Sequence, residues 1–382
     1  MRKILAILKK ELMLTLSVAA ACIALIINPP TKDIINDIDW RTLGTLFMML
    51  TILEGFKRED IFRPLVNFST GFRTVSSLSL FLIFCVFFTS MFVTNDVSLI
   101  IFVPLTILLF RQGNKEQYIL PVISMENIAA IRGSMLMPFG SPQNLFLYGK
   151  YGVSAGTFIM HMAPLSAFSA ILLIIFVKLM CRKDPKERIE FAETKKSRAE
   201  DSKLHKVRRL CYICLFIMIL TVIVTKTSLW PYAVAIVLVG TLVLDASILR
   251  KTDYVLLATF LCFFIFSASI TKSPAVSDFL SRLVSGKEYW WSIGISQIIS
   301  NVPASIVLYP FTVNKAGLIY GLDTAGLCSL IGSLASVINY RIYVREYPLK
   351  GKAFIKTFTL VSWAFFAIVV IPGFLLSSWE FA

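Results

Sequence analysis

The sequence predicts an all-α polytopic membrane protein, and three observations carry that prediction. Hydrophobic residues make up 57% of the chain against 16% charged, with a mean hydropathy of +0.75, too apolar for the surface of a water-soluble globule. The apolar residues fall in runs long enough for a bilayer, whose core of roughly 30 Å takes about 20 helical residues to cross. Two of those runs are interrupted by polar residues at matching places. The expected architecture is therefore two inverted repeats, each with a re-entrant hairpin and a broken transmembrane helix, giving about nine full spans plus two hairpins.

Charge sets the orientation. The formal net charge of +15 lies between apolar runs rather than in a basic domain, so it reads as the positive-inside signal and not as a nucleic-acid surface. Seven cysteines lie in or beside apolar runs without the paired spacing of a disulfide or zinc framework. The lone Cys211/Cys214 pair is read as packing. No metal site is expected, apart from sodium at the hairpin tips.

The elements follow in order. Span one, Leu12 to Asn28, follows the basic flank MRKILAILKK and is read as a retained helix, with the N-terminus cytoplasmic. An outer loop with Asp33, Asp37 and Asp39 leads to span two, Thr42 to Phe56. Lys57, Arg58, Arg63 and Arg73 return the chain to the cytoplasm. Next comes an apolar run of about 36 residues, 75–110, broken by Thr94-Asn95-Asp96 and flanked by basic residues at both ends. Basic flanks on both sides force the chain to turn back inside the membrane, hence a re-entrant hairpin. A carboxylate at that depth costs roughly 2.5 kcal/mol or more, which makes Asp96 a functional candidate.

The third span, 118–148, breaks at Met137-Pro138-Phe139-Gly140-Ser141-Pro142-Gln143-Asn144, where two prolines and a glycine unwind the helix. The fourth, Phe158 to Leu179, closes the first repeat, 1–177. The linker 178–209 holds twelve basic against six acidic residues and is therefore placed in the cytoplasm. The second repeat, 210–382, reads Leu210 to Thr225, Pro231 to Leu244, Tyr254 to Ile270, a hairpin 289–311, a broken helix 317–342, and Phe358 to Leu376, leaving the C-terminus outside.

The halves echo each other in order. Asp39-Trp40 matches Asp253-Tyr254, Ser90-Met-Phe-Val-Thr94-Asn95 matches Ser296-Gln-Ile-Ile-Ser300-Asn301, and Gly140-Ser141 through Tyr148 matches Gly332-Ser333 through Tyr340, with Ser336 under Asn144. One extra helix in the second half inverts its matched elements. Such an arrangement puts substrate and coupling-ion sites near the midplane, where broken helices offer dipoles and unwound carbonyls.

At these residues the chain resembles the ion transporter superfamily of divalent-anion symporters, citrate permeases, arsenite efflux permeases and related sodium/proton antiporters. The tips of that superfamily carry Ser-Asn-Thr or Asn-Asp variants and its broken spans a Gly-(Thr/Ser)-Pro-Pro-Asn-like loop. Here those positions are Thr94-Asn95-Asp96, Ser300-Asn301-Val302 and Gly140-Ser141-Pro142-Gln143-Asn144. Asp96 and Val302 replace tip hydroxyls, and Gly332-Ser333-Leu334-Ala335-Ser336 lacks the proline pair. The arrangement looks closer to arsenite permeases and to small anion-permease-like bacterial inner-membrane proteins.

The candidate substrate and ion ligands are Thr94, Asn95, Asp96, Ser141, Gln143, Asn144, Ser300, Asn301, Ser333 and Ser336. Their hydroxyls and amides suit either a cargo oxygen or a cation, and equally suit capping of short helices. Asp96 reads as a proton- or sodium-exchanging carboxylate or as a capping one. Glu126 and Arg132, six residues apart on different sides of one helix, are candidate coupling or charge partners. Arg132 either attracts an anion or anchors a hairpin's carbonyls. His161 reads as interfacial.

The expected function is a secondary transporter moving a small organic or inorganic anion across a bacterial-type inner membrane, coupled to protons or sodium. A sodium/proton antiporter of the same fold is the alternative. No P-loop, dinucleotide turn or nucleophile elbow is present, so no enzymatic activity and no cofactor beyond the coupling ion are expected. Lipid and a small ion are the expected partners, with no nucleic acid and a homodimer left open.

Overall fold

The computed structural model describes residues 11–28, 34–62, 64, 68, 69, 71–184, 186–189 and 203–381. The basic flank MRKILAILKK, Asp33, Arg63 and the linker residues 185 and 190–202 lie outside them. Among the described residues the chain is helical, and its apolar runs appear where the sequence expects them. In chain order the helices are α1 (Leu12–Ile27), α2 (Ile34–Asp37), α3 (Trp40–Arg58), α4 (Val75–Val93), α5 (Asn95–Gln112), α6 (Ile119–Ser134), α7 (Pro142–Tyr151) and α8 (Ala155–Met180). They continue as α9 (Lys203–Thr225), α10 (Trp230–Asp245), α11 (Ser247–Lys251), α12 (Tyr254–Ile270), α13 (Pro274–Val284), α14 (Glu288–Ile299), α15 (Asn301–Leu308), α16 (Lys315–Ala325), α17 (Leu334–Glu346) and α18 (Gly351–Leu376).

Five of these helices are each long and apolar enough to cross a bilayer, six if α12 and α13, bent by 107° at their junction, count as one. The others are shorter or, as with the 19-residue α3, carry more charge. The same cap opens matched helices: Asp39 accepts from the Thr42 amide at 2.9 Å ahead of α3, and Asp253 from the Leu256 amide at 3.0 Å ahead of α12. An acidic N-cap satisfies an orphan amide and complements the helix dipole.

Side-chain contacts define two ends of the bundle. At one end Lys272 pairs with Asp37 (2.6 Å), Lys150 with Asp39 (2.9 Å), Lys226 reaches the Val153 carbonyl and Tyr151 the Lys315 carbonyl. Asn314 there donates to the Ser377 carbonyl, which adds the end of α18. At the other end Arg58 pairs with Asp245 (3.3 Å), Arg209 donates to the Glu59 carbonyl, and Arg111 pairs with Glu346 (3.3 Å).

The two hairpins enter from opposite ends. Both feet of α4 and α5 are held at the end bearing Arg58 and Arg111 by one short segment. The Val75 amide donates to the Glu187 carbonyl, the Ile189 amide to the Arg73 carbonyl, and Lys115 pairs with Glu187 at 2.6 Å. Both feet of α14 and α15 lie at the other end, where buried Glu288 accepts from the amides of Val313 and Asn314 at 3.1 and 3.0 Å. Each hairpin packs on the first helix of its own broken pair, α6 or α16, and on the second helix of the other pair. Thus α5 meets α17 and α15 meets α7.

Two glycines bring each hairpin's first arm against the helix it packs on. A Cβ on Gly133 of α6 would lie 2.0 Å from the Phe87 carbonyl oxygen, and one on Gly321 of α16 would lie 2.5 Å from that of Tyr289. Backbone contact this close is open only to glycine. The helix α13 has no counterpart in the sequence reading, which passes from Ile270 to the second hairpin without it.

Candidate functional site

The hairpin tips share one unusual backbone shape. Thr94 stands at φ 72°, ψ 153° and Ser300 at φ 68°, ψ 157°, a region that side chains larger than hydrogen avoid. A reversal between two helices demands it, and each such residue costs on the order of 1–3 kcal/mol. Neither Thr94 nor Ser300 makes a side-chain capping bond to the helix that follows. At the first tip Asn95 Oδ1 accepts from the Asp96 amide (2.9 Å), and Ser98 donates to the Thr94 carbonyl while accepting from Thr89, which ties the two arms together. At the second, the Asn301 amide donates to the Gly332 carbonyl at 3.2 Å, and its Nδ2 reaches the Leu322 carbonyl at 3.5 Å. The second tip is thus seated on its own break.

The two breaks are also alike. A Cβ on Gly140 would lie 2.2 Å from the Ser134 carbonyl oxygen, and one on Gly332 would lie 2.5 Å from that of Ala325. In both, the chain folds back against the last turn of the preceding helix. Ser141 then caps α7 by accepting from the Asn144 amide at 3.4 Å, and Asn144 Nδ2 donates to the Met135 carbonyl at 3.3 Å. Ser333 precedes α17 without such a bond. Polar side chains stitch the halves: Asn127 Nδ2 to Ser336 Oγ at 3.0 Å, Asn339 Nδ2 to the Ile123 carbonyl at 2.7 Å, and Gln143 Nε2 to Asp323 Oδ1 at 3.3 Å.

A cavity of about 500 Å³ lies against the first tip. Thr94, Asp96 and Ser141 line it, together with Glu54 and Lys57 of α3 and Asp253 at the start of α12. Asp96 Oδ1 is buried there without a hydrogen-bond partner. The remaining candidates, Asn95, Gln143, Asn144, Ser300, Asn301, Ser333 and Ser336, are buried behind this surface.

Three further charges are fully inside. Glu126 accepts from Thr106 of the first hairpin at 2.5 Å and leaves Oε2 unpartnered. Arg132 donates to Met135 Sδ at 3.6 Å, while its Nε and Nη2 are buried without partners; it anchors no hairpin carbonyl. Its charge faces Asp323 of α16. Glu126 and Arg132 stay apart, as their spacing implies. Asp323, 1% exposed, is the residue the sequence reading missed, although a lone carboxylate within the apolar stretch 316–327 is the same signal that marks Asp96. His161, 3% exposed, packs against Trp379 and Phe381 with ring centroids 4.3 and 4.2 Å away.

A multi-pass helical bundle with polar breaks and buried charges at its centre defines a membrane transporter. The family model of the citrate transporters (CitMHS) matches residues 4–335, and the chain belongs to that family. It is 30% identical over 349 residues to the inner membrane protein YbiR of Escherichia coli, covering 88% of this chain and 89% of that one. It is 27% identical over 321 residues to an uncharacterized transporter of Methanocaldococcus jannaschii, covering 83% and 84%. Among solved structures it is similar in fold to the YdaH transporter of Alcanivorax borkumensis, described as having an unusual topology, with a TM-score of 0.56, 13% identity and 96% of each chain covered.

Proposed function

We propose that this protein is a secondary active transporter that moves a small anion, an organic carboxylate or an arsenite-like oxyanion, coupled to protons or sodium by alternating access. The observation that carries the reading is the pair of tips, with one backbone shape at Thr94 and Ser300, entering the bundle from opposite ends. Two units, 1–177 and 210–382 joined by the linker 178–209, then act as inverted repeats, whose rocking against each other exposes a central site to either side in turn. The excess of arginine and lysine at the end bearing Arg58, Arg111 and Arg209 orients that end to the cytoplasm of a bacterial-type inner membrane, with the N-terminus inside and the C-terminus outside.

The first tip supplies the ion-binding chemistry: Asp96 Oδ1 and the Thr94 hydroxyl beside the cavity take a proton or a sodium ion, with Asn95 holding the turn. Ser141, Gln143, Asn144, Ser300, Asn301, Ser333 and Ser336 hold the two breaks in register with the tips. In proteoliposomes Asn95→Ala and Asn301→Ala each abolish uptake of radiolabelled citrate, succinate or arsenite while leaving the protein monodisperse. Normal uptake by both variants removes the site assignment.

The buried carboxylates favour one second reading. Asp96, Glu126 and Asp323 outnumber Arg132 inside the bundle, as suits a cation/proton antiporter. Dye-reported proton flux on adding sodium, with no anion present, separates the two.

A further inference from the structure

Arg132 and Asp323 hold corresponding places in the two halves, each in the last turns of the helix before a break, one on α6 and the other on α16. Both are sealed from solvent, at 0% and 1% exposure. Asp323 is half-satisfied: Oδ1 accepts from Gln143 Nε2 at 3.3 Å and Oδ2 has no partner. Arg132 is likewise half-satisfied, with Nε and Nη2 free. A buried guanidinium with two open donors and a buried carboxylate with an open acceptor are each costly unless something completes them.

Resting on the transport reading above, we propose that Asp323 is a proton-loading carboxylate that sets whether Arg132 is free to hold an anionic group of the cargo. With Asp323 ionised, the two charges offset each other across the site and no anion is needed to balance the guanidinium. When a proton binds Asp323, the pair becomes one unit positive in a low-dielectric interior, and one carboxylate or oxyanion group of the cargo restores neutrality. The free Nε and Nη2 are a fork suited to that group. One proton enters with each anionic group held, and leaves with it when the site faces the other side.

The surroundings favour a proton over a metal cation here. Gln143 turns its amide nitrogen, not its oxygen, to Asp323, and Arg132 itself repels a cation. From the helices packed on α16, the groups facing the pair are Arg132 of α6, Gln143, Asn144 and Tyr151 of α7, and Tyr289 of α14, with Tyr320 and Cys328 nearby in sequence. α15 carries no titratable side chain, and Lys352 and Lys356 of α18 are exposed at its far end.

The test uses Asp323→Asn, which mimics the protonated acid, in proteoliposomes with radiolabelled citrate, succinate and arsenite as probes. The wild type accumulates at least one of them under an inward pH gradient, and above the carboxylate's pKa its apparent affinity falls about tenfold per pH unit, because only the protonated fraction binds. Asp323→Asn retains measurable exchange of that probe, loses accumulation driven by the pH gradient, and shows a flat pH profile. In detergent, the purified wild type also takes up protons from a weakly buffered indicator solution when the probe is added, a measurement independent of any variant. Unchanged pH coupling in Asp323→Asn, or no proton uptake by the wild type, overturns the switch alone. A sodium-driven wild type whose coupling Asp323→Asn abolishes makes the site a cation site and also overturns it. A wild type that moves none of the three probes overturns the transport reading, and the switch with it.

Discussion

Gly133→Ala is the sharpest perturbation of the first hairpin. The added Cβ would lie 2.0 Å from the Phe87 carbonyl oxygen and 2.5 Å from Ser90 Oγ, whereas ordinary contact begins at 3.4 Å. Phe87 lies in the middle of α4, so neither its carbonyl nor the helix can rotate aside. α4 must therefore retreat from α6 by more than ~1 Å, and with it the Thr94 tip about two turns further along. Overpacking of this kind costs about 1–3 kcal/mol, and displacement of the tip lowers flux more than stability. The control is Gly149→Ala on α7, where the nearest atom, Thr42 Oγ1, is 3.9 Å away and helix propensity predicts a gain of up to ~1 kcal/mol. The assay is unfolding of the detergent-solubilised protein followed by tryptophan fluorescence, with proteoliposome uptake alongside. Equal stability and equal uptake in the two variants would refute the tight α4–α6 contact and the reasoning built on it.

Two further outcomes are expected. Thr94→Gly relieves a positive φ and stabilises the fold by about 1 kcal/mol in the same unfolding assay, yet slows uptake because the tip is less firmly held; a destabilised variant contradicts the strain. Lys115 and Tyr118 donate to the Glu187 carboxylate and hold it below the usual carboxylate range, so its ionised form favours the folded strap. That contribution is present at neutral pH and is lost as pH falls through the lowered pKa. Protection of the Val75 and Ile189 amides from hydrogen exchange, taken relative to the intrinsic rate at each pH, therefore falls in acid in the wild type, and in Glu187→Gln it is low already at pH 7.

The spans, tips and breaks were legible because each is a contrast within a short window. Thr94-Asn95-Asp96 stands out against apolar neighbours, and Gly140 with its flanking prolines can only interrupt a helix. Tyr254–Ile270 was found to the residue because Asp253 caps it and Ile270 ends its apolar run. Helix α13 was missed because PAVSDFLSRLV alternates polar and apolar residues on a helical period and so fails any test for a continuous apolar run. Asp323 was legible as a lone carboxylate in the apolar stretch 316–327, but its partner Gln143 lies 180 residues away and no local pattern joins the two. Burial depth is written in composition, whereas partnership across the bundle arises only from packing. The same limit explains why Ser300 and Asn301, which match the first tip in sequence, turn out to be seated on Gly332 and Leu322 rather than on the cavity.

The strap at Glu187 and Ile189 has a consequence for how the chain is made. Both feet of the first hairpin are fastened by residues that leave the ribosome about 75 residues after α5 is complete, with α6, α7 and α8 in between. During that interval α4 and α5 sit at the membrane with a polar tip and no anchor, at a synthesis rate of roughly 5–20 residues per second. The neighbour that covers α5 from the other half, α17, emerges more than 200 residues later. The first hairpin is thus the last of the early elements to be fixed, and a chain arrested before Glu187 is expected to be the most vulnerable species in its biogenesis, open at Val75 and Lys115 to membrane proteases.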